Sequence, residues 1–148
     1  MFNTQPLNRF CKNHILTILW RCGGDFFKKA LIVGIDEYPV ARLNGCVNTA
    51  NEVAELLKTN GDGLPNFDVS LNLNVQTKAR FLDLIEKLFI GVADASLLYF
   101  SGHGSECGHL VTPDYRGRNL GVSMADVLGY ANRSKCKNKI IILDCCFS

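Results

Sequence analysis

An α/β fold built on a mostly parallel sheet is predicted by three features of this 148-residue chain. Residues 30–35 and 140–143 are continuous apolar, β-branched runs, the mark of strands buried on both faces. From Lys28 onward, strand-like and helix-like segments alternate as strand, helix, strand, helix, strand, helix, strand. Capping residues and glycines punctuate the joints. Alternation of this kind implies right-handed crossovers and helices covering both faces of one sheet.

Ala30 to Ile35 is the first strand, and Asp36 to Asn44, with Pro39, is loop. From Val47 the apolar residues Val47, Ala50, Val53, Ala54 and Leu57 recur on one helical face, and Asn60-Gly61 supplies the stop. Gly61 to Asn66 reads as turns, and Val69 to Leu73 as a weaker, alternating strand. Thr77 is placed to cap a second helix that carries Phe81, Leu84, Ile85 and Leu88 and ends at Gly91. Ser96 to Phe100 is the third strand, closed off by Gly102-His103-Gly104. Ser123 and Asp126 have capping-box spacing before a helix running to about Ala131. Lys139 to Asp144 forms a fourth buried strand. Residues 1–27 are read as an N-terminal extension, with the domain proper at 28–148. The apolar run Ile15 to Trp20 inside that extension lacks a small-residue cleavage site and runs into Arg21, so it is not read as a secretory leader.

Composition excludes several classes of function. Apolar residues make up 47% of the chain and the formal charge is only +2, which rules out intrinsic disorder. The 16 Lys and Arg are scattered among 14 Asp and Glu, so the electrostatic footprint of nucleic-acid binding is missing. No apolar stretch approaches the ~20 residues that span a bilayer, so no membrane partner is expected. Seven cysteines, an odd number with no C-x-x-C pair, fit neither a disulfide framework nor a zinc ribbon and point to a reducing cytoplasm.

Sites in open parallel sheets lie beyond the carboxyl ends of the strands. Three reactive residues fall there: Cys46 after the first strand, His103 after the third and Cys146 after the fourth. A thiol and an imidazole brought from separate strand ends are what nucleophilic acyl transfer needs. Gly102 and Gly104 leave the backbone bare around His103, so the Gly104 N–H is a candidate oxyanion donor, with the Cys146 N–H as the second. Cys145, one residue earlier on extended backbone, is expected to face the other way and to behave as a small buried hydrophobe. A zinc site made from His103, Cys107, His109 and Cys136 is a rival reading, but its ligands come at irregular intervals.

The local sequences Lys29-Ala-Leu-Ile-Val-Gly-Ile-Asp-Glu-Tyr-Pro39, Leu43-Asn-Gly-Cys-Val-Asn48, Tyr99-Phe-Ser-Gly-His-Gly104 and Ile142-Leu-Asp-Cys-Cys-Phe-Ser148 resemble the caspase-like cysteine peptidases, especially metacaspases and their bacterial relatives. The resemblance covers about residues 28–148. It implies a caspase-like three-layer sandwich, a catalytic pair of His103 and Cys146, and a polypeptide substrate. It also implies an acidic S1 pocket lined by Cys46, Ser101 and Asp144 that accepts Arg or Lys. The second pocket acid of the family would stand at Thr49, and the arginine by which true caspases bind aspartate would stand at Leu43; both are missing. Calcium-activated members carry several acids after the histidine. This chain offers only Glu106 and Asp114 there, thin for a cation that takes six to eight oxygens, so no cofactor is expected and calcium activation stays the weakly supported alternative. The family fold continues through two more strands after the nucleophile. The chain is therefore expected to be the large-subunit part, weak or inactive alone, and to need the small-subunit half or a self-association partner. The alternative is a caspase-like module that binds peptides or a partner without turnover.

Overall fold

A computed structural model describes residues 27–146 of the chain. Side chains of a strand alternate between faces, and β1 (Lys28–Gly34) uses both. Ala30 and Ile32 turn to one side with Leu97 and Tyr99 of β3 (Ala95–Ser101), where α1 (Cys46–Lys58) packs its Ala50 and Ala54 against them. Leu31, Val33, Leu98 and Phe100 turn to the other side. There they meet Phe81, Leu84, Ile85 and Leu88 of α2 (Lys78–Phe89), with Val127 and Ala131 of α3 (Met124–Arg133). The result is the expected three-layer α/β sandwich. Its sheet is completed by β2 (Asp68–Leu73) and by a strand at Asn138–Asp144, in the order β2, β1, β3, then that last strand, all parallel.

The helix starts follow the sequence. Thr77 Oγ1 accepts the Arg80 N–H at 3.2 Å, and Ser123 Oγ accepts the Asp126 N–H at 3.0 Å, while the Asp126 carboxylate takes the Ser123 hydroxyl at 2.7 Å. Gly34 lets α1 lie close to the sheet, because a Cβ there would stand 2.5 Å from the Cys46 carbonyl oxygen and 2.6 Å from Ala50 Cβ.

Three details differ from the sequence reading. A small antiparallel pair, β4 (His109–Leu110) with β5 (Val122–Ser123), stands apart from the main sheet. Two-residue strands carry no periodicity to read. The helix before the last strand runs on to Arg133. Finally the last strand, β6 (Asn138–Asp144), is half-exposed rather than buried. Its apolar residues do face both layers, Ile140 and Ile142 toward the α1 side and Ile141 and Leu143 toward α2 and α3. Among the described residues, however, β6 is an edge strand with β3 as its one neighbour, and an edge is covered less than an interior strand. The Ile15–Trp20 run lies outside the described residues.

Candidate active site

All parallel strands of a sheet end on the same side, and here the ends of β1, β3 and β6 are in register at Gly34, Ser101 and Asp144. The chain leaving β3 reaches His103 two residues on, and the chain leaving β6 reaches Cys146 two residues on. Both chains therefore leave the sheet at the same carboxyl edge from neighbouring strands, and the Gly102 N–H still reaches the Asp144 carbonyl at 3.4 Å.

The imidazole of His103 is held by a group that sequence reading missed. Its Nε2 stands 2.6 Å from the carbonyl oxygen of Ala41. A carbonyl only accepts, so Nε2 carries the proton and Nδ1 of the neutral ring is left with its lone pair. Ala41 presents that carbonyl from left-handed backbone at φ 59°, uncommon for a residue with a side chain. The loop that carries it is organised by Asp36. The Asp36 carbonyl accepts the N–H groups of Tyr38 (3.1 Å) and Leu43 (3.0 Å), and its carboxylate accepts those of Cys46 (2.9 Å), Val47 (3.2 Å) and Gly45 (3.4 Å). Burial acts to raise the Asp36 carboxyl, but these backbone donors outweigh it and hold it below its ordinary value. The same carboxylate caps α1, where Gly45 has no side chain to do so. The phenol of Tyr38 meets the His103 ring edge-on, with centroids 4.6 Å apart.

Gly104 pairs with Leu110 across a narrow hairpin. The bonds flanking it run from the Val111 N–H to the His103 carbonyl and from the Ser105 N–H to the His109 carbonyl, at 2.9 and 3.0 Å. That pattern makes Gly104 and Leu110 the non-hydrogen-bonded pair, so the Gly104 N–H points away from the partner strand.

Cys145 and Cys146 part as extended backbone requires. Cys146 is exposed, whereas Cys145 packs against the core on the α2 and α3 side. Burial, helped by the charge of Asp144, pushes the Cys145 thiol up to about 12. The Asp144 carboxylate is exposed, and one of its oxygens, Oδ2, accepts both the Tyr99 and the Ser101 hydroxyl at 3.1 Å. Ser101 and Tyr99 are buried beneath it, and Tyr99 is a further contact that the sequence reading did not single out. Cys46, the first residue of α1, joins this cluster. Its thiol is raised by burial, eased by the Ser101 hydroxyl and raised again by the carboxylates of Asp36 and Asp144. Thr49 sits one turn on and returns its hydroxyl to the Gly45 carbonyl at 3.0 Å.

The other candidates do not converge. Cys136 is buried just before β6, at the opposite end of the sheet from His103, and its Sγ lies 3.1 Å from the Asn138 carbonyl. Among the described residues no three His, Cys, Asp or Glu side chains stand close enough to share a metal. Asp114 is engaged as a support for α2: it accepts the Lys78 N–H at 3.1 and 3.2 Å and the Thr112 hydroxyl at 2.6 Å. A cavity of about 370 Å³ lies between the carboxyl ends of α2 and α3, lined by Ile90, Tyr130 and Arg133 among others, and contains none of the candidate site residues. No helix among the described residues is long and apolar enough to cross a membrane.

A family model described as the caspase domain matches residues 27–148. Comparison with curated proteins gave no match.

Proposed function

The chain belongs to the caspase-domain family of cysteine peptidases, and from that premise we propose that it cleaves polypeptides after Arg or Lys through a Cys146–His103 dyad. The Cys146 thiol gives its proton to Nδ1 of His103, and the thiolate attacks the scissile carbonyl carbon. The tetrahedral oxyanion takes hydrogen bonds from the N–H groups of Gly104 and Cys146. Collapse breaks the C–N bond, the leaving amine takes the proton from Nδ1, and a thioester is left on Cys146. Water then gives a proton to Nδ1, its oxygen attacks the thioester, and the thiol leaves with that proton. The acyl group leaves as a carboxylic acid, which gives its proton to solvent, and the free enzyme is restored.

The observation that carries this reading is the hydrogen bond from His103 Nε2 to the Ala41 carbonyl, which leaves Nδ1 as the basic nitrogen. In the S1 pocket, Tyr99 and Ser101 occupy one oxygen of Asp144, leaving the other to a cationic side chain, with Cys46 and Ser101 as lining. A reducing cytoplasm suits free Cys46, Cys145 and Cys146.

Treating the 148-residue chain, alone and with a small-subunit half supplied in trans, with an arginyl acyloxymethyl ketone tests the proposal, and no adduct in either case overturns it. The expected result is one adduct, on Cys146, formed in Cys145→Ser as in the natural sequence and lost in His103→Ala. An adduct on another cysteine, or one indifferent to His103, overturns the dyad.

A further inference from the structure

The hairpin that carries His103 is irregular at one bond. Gly104 opposite Leu110 is a non-hydrogen-bonded pair, so the next pair, His103 opposite Val111, should exchange two backbone bonds. One is made directly, from the Val111 N–H to the His103 carbonyl at 2.9 Å. The other is not. The His103 N–H donates instead to the Tyr38 hydroxyl oxygen at 3.0 Å, and that hydroxyl donates to the Val111 carbonyl at 3.2 Å. One phenolic oxygen is thus inserted into a ladder bond, holding the two strands apart on the side nearest the imidazole.

We infer that Tyr38 is a positioning residue for His103, its hydroxyl setting the backbone of residue 103 and its ring setting the plane of the imidazole that Ala41 then holds at Nε2. The inference rests on His103 being the base of the dyad. Two independent features accommodate the insertion. Gly102 leaves the space the hydroxyl fills, since a Cβ there would stand 2.6 Å from Tyr38 Oη. The phenol is buried, so that burial raises it above the ordinary tyrosine value and keeps it a donor throughout the neutral range. The first glycine of Ser101-Gly-His-Gly104 thus makes room for a tyrosine 64 residues earlier in the chain, and also for the Phe100 ring, whose Cζ would stand 2.8 Å from the same Cβ. Ala41 and Tyr38 sit on one loop, so a single segment grips the imidazole at its outer nitrogen and at its backbone.

Nitrogen-15 spectra of histidine-labelled protein read this placement directly. At a pH above the imidazole titration, the natural sequence should show His103 with protonated Nε2 and unprotonated Nδ1. Tyr38→Phe should shift both nitrogens toward a tautomer average and lower the maximal rate of Cys146 labelling by the arginyl ketone roughly tenfold, with little change in half-saturation. Ile85→Val, which loosens the core elsewhere, should move neither reading. A second measurement needs no variant: in the natural protein the Tyr38 hydroxyl proton should exchange slowly and show a cross-peak to the His103 amide. An unshifted tautomer in Tyr38→Phe, or a fast-exchanging hydroxyl without that cross-peak, overturns the inference. If His103→Ala labels at the natural rate, the dyad reading fails instead, and the nitrogen spectra still decide where Tyr38 acts.

Discussion

On the proposed reading, Asp144 carries the largest expected effect of a single side chain after the dyad itself. Its carboxylate is held by Tyr99 and Ser101 through one oxygen, so a charged partner at the other gains a hydrogen bond to an already oriented acceptor. Such charge-assisted bonds contribute about 1.5–3 kcal/mol, or one to two decades of discrimination. Asp144→Asn should lower labelling by the arginyl ketone by that factor relative to a neutral analogue, and Thr49→Asp should sharpen the preference for arginine. An aspartyl ketone reacting faster than the arginyl one would contradict the pocket assignment. Cys145 offers a separate check. With its thiol pushed up to about 12, it stays protonated at pH 8, and iodoacetamide should modify Cys146 long before Cys145. Peptide mapping by mass spectrometry reads the order.

Helix α1 and the loop before it depend on one carboxylate. Asp36 lies ahead of the helix in sequence yet accepts the N–H groups of Gly45, Cys46 and Val47, doing what a capping side chain at Gly45 would do. Asp36→Asn keeps an acceptor oxygen but removes the negative charge at the helix start, and should cost about 0.3–1 kcal/mol at neutral pH. The carboxyl is held below its ordinary value in the folded chain, so the stability it contributes is present above the unfolded value of about 3.9 and lost as pH falls through the lower folded one. Urea midpoints of the natural sequence and of Asp36→Asn should therefore differ at pH 7 and converge toward pH 2. In α2, Phe81 is fully buried and stacks on Phe100 with ring centroids 5.5 Å apart. Phe81→Ala should cost about 3–5 kcal/mol by the same denaturation.

Across the whole molecule the sheet is unevenly covered. β1 and β3 are buried between layers, while β6 is half-exposed along its length, with Ile140 to Leu143 apolar on both faces. A flat apolar edge is a template for another strand. The 148-residue chain should accordingly associate in solution, shown by a sedimentation coefficient that rises with concentration, and Ile142→Lys should reduce that rise. A monomer at all concentrations would remove β6 as a contact surface. On the proposed dyad the same edge bears on activity, because Cys146 lies two residues beyond β6, and small displacements of a nucleophile have large rate effects.

Much of this was legible in the chain alone because burial and capping are local. β1, α1, β2, α2, β3, α3 and β6 each announce themselves by a period of apolar residues or by a cap such as Thr77 or Ser123, and these are properties of neighbours in sequence. His103 and Cys146 stood out as an imidazole and a thiol at strand ends, while Cys46, Ser101 and Asp144 were singled out through the family resemblance of short motifs. Other features depend on partners distant in sequence and have no local signature. Ala41 is an exposed loop alanine whose only contribution is a carbonyl, and nothing about an alanine marks the direction of its backbone. Tyr38 reads as an aromatic in a turn until the fold sets its hydroxyl between residues 103 and 111. Asp36 reads as a loop acid until α1 folds back over it, and Tyr99 as a core residue until β6 pairs beside β3 and brings Asp144 to its hydroxyl. The sequence determined the layers and proposed the reactive groups, since hydrophobic periodicity and side-chain chemistry act over a few residues. Only the tertiary structure decided which backbone and hydroxyl groups hold those reactive groups in place, since a hydrogen bond spanning tens of residues exists only once the sheet register is set.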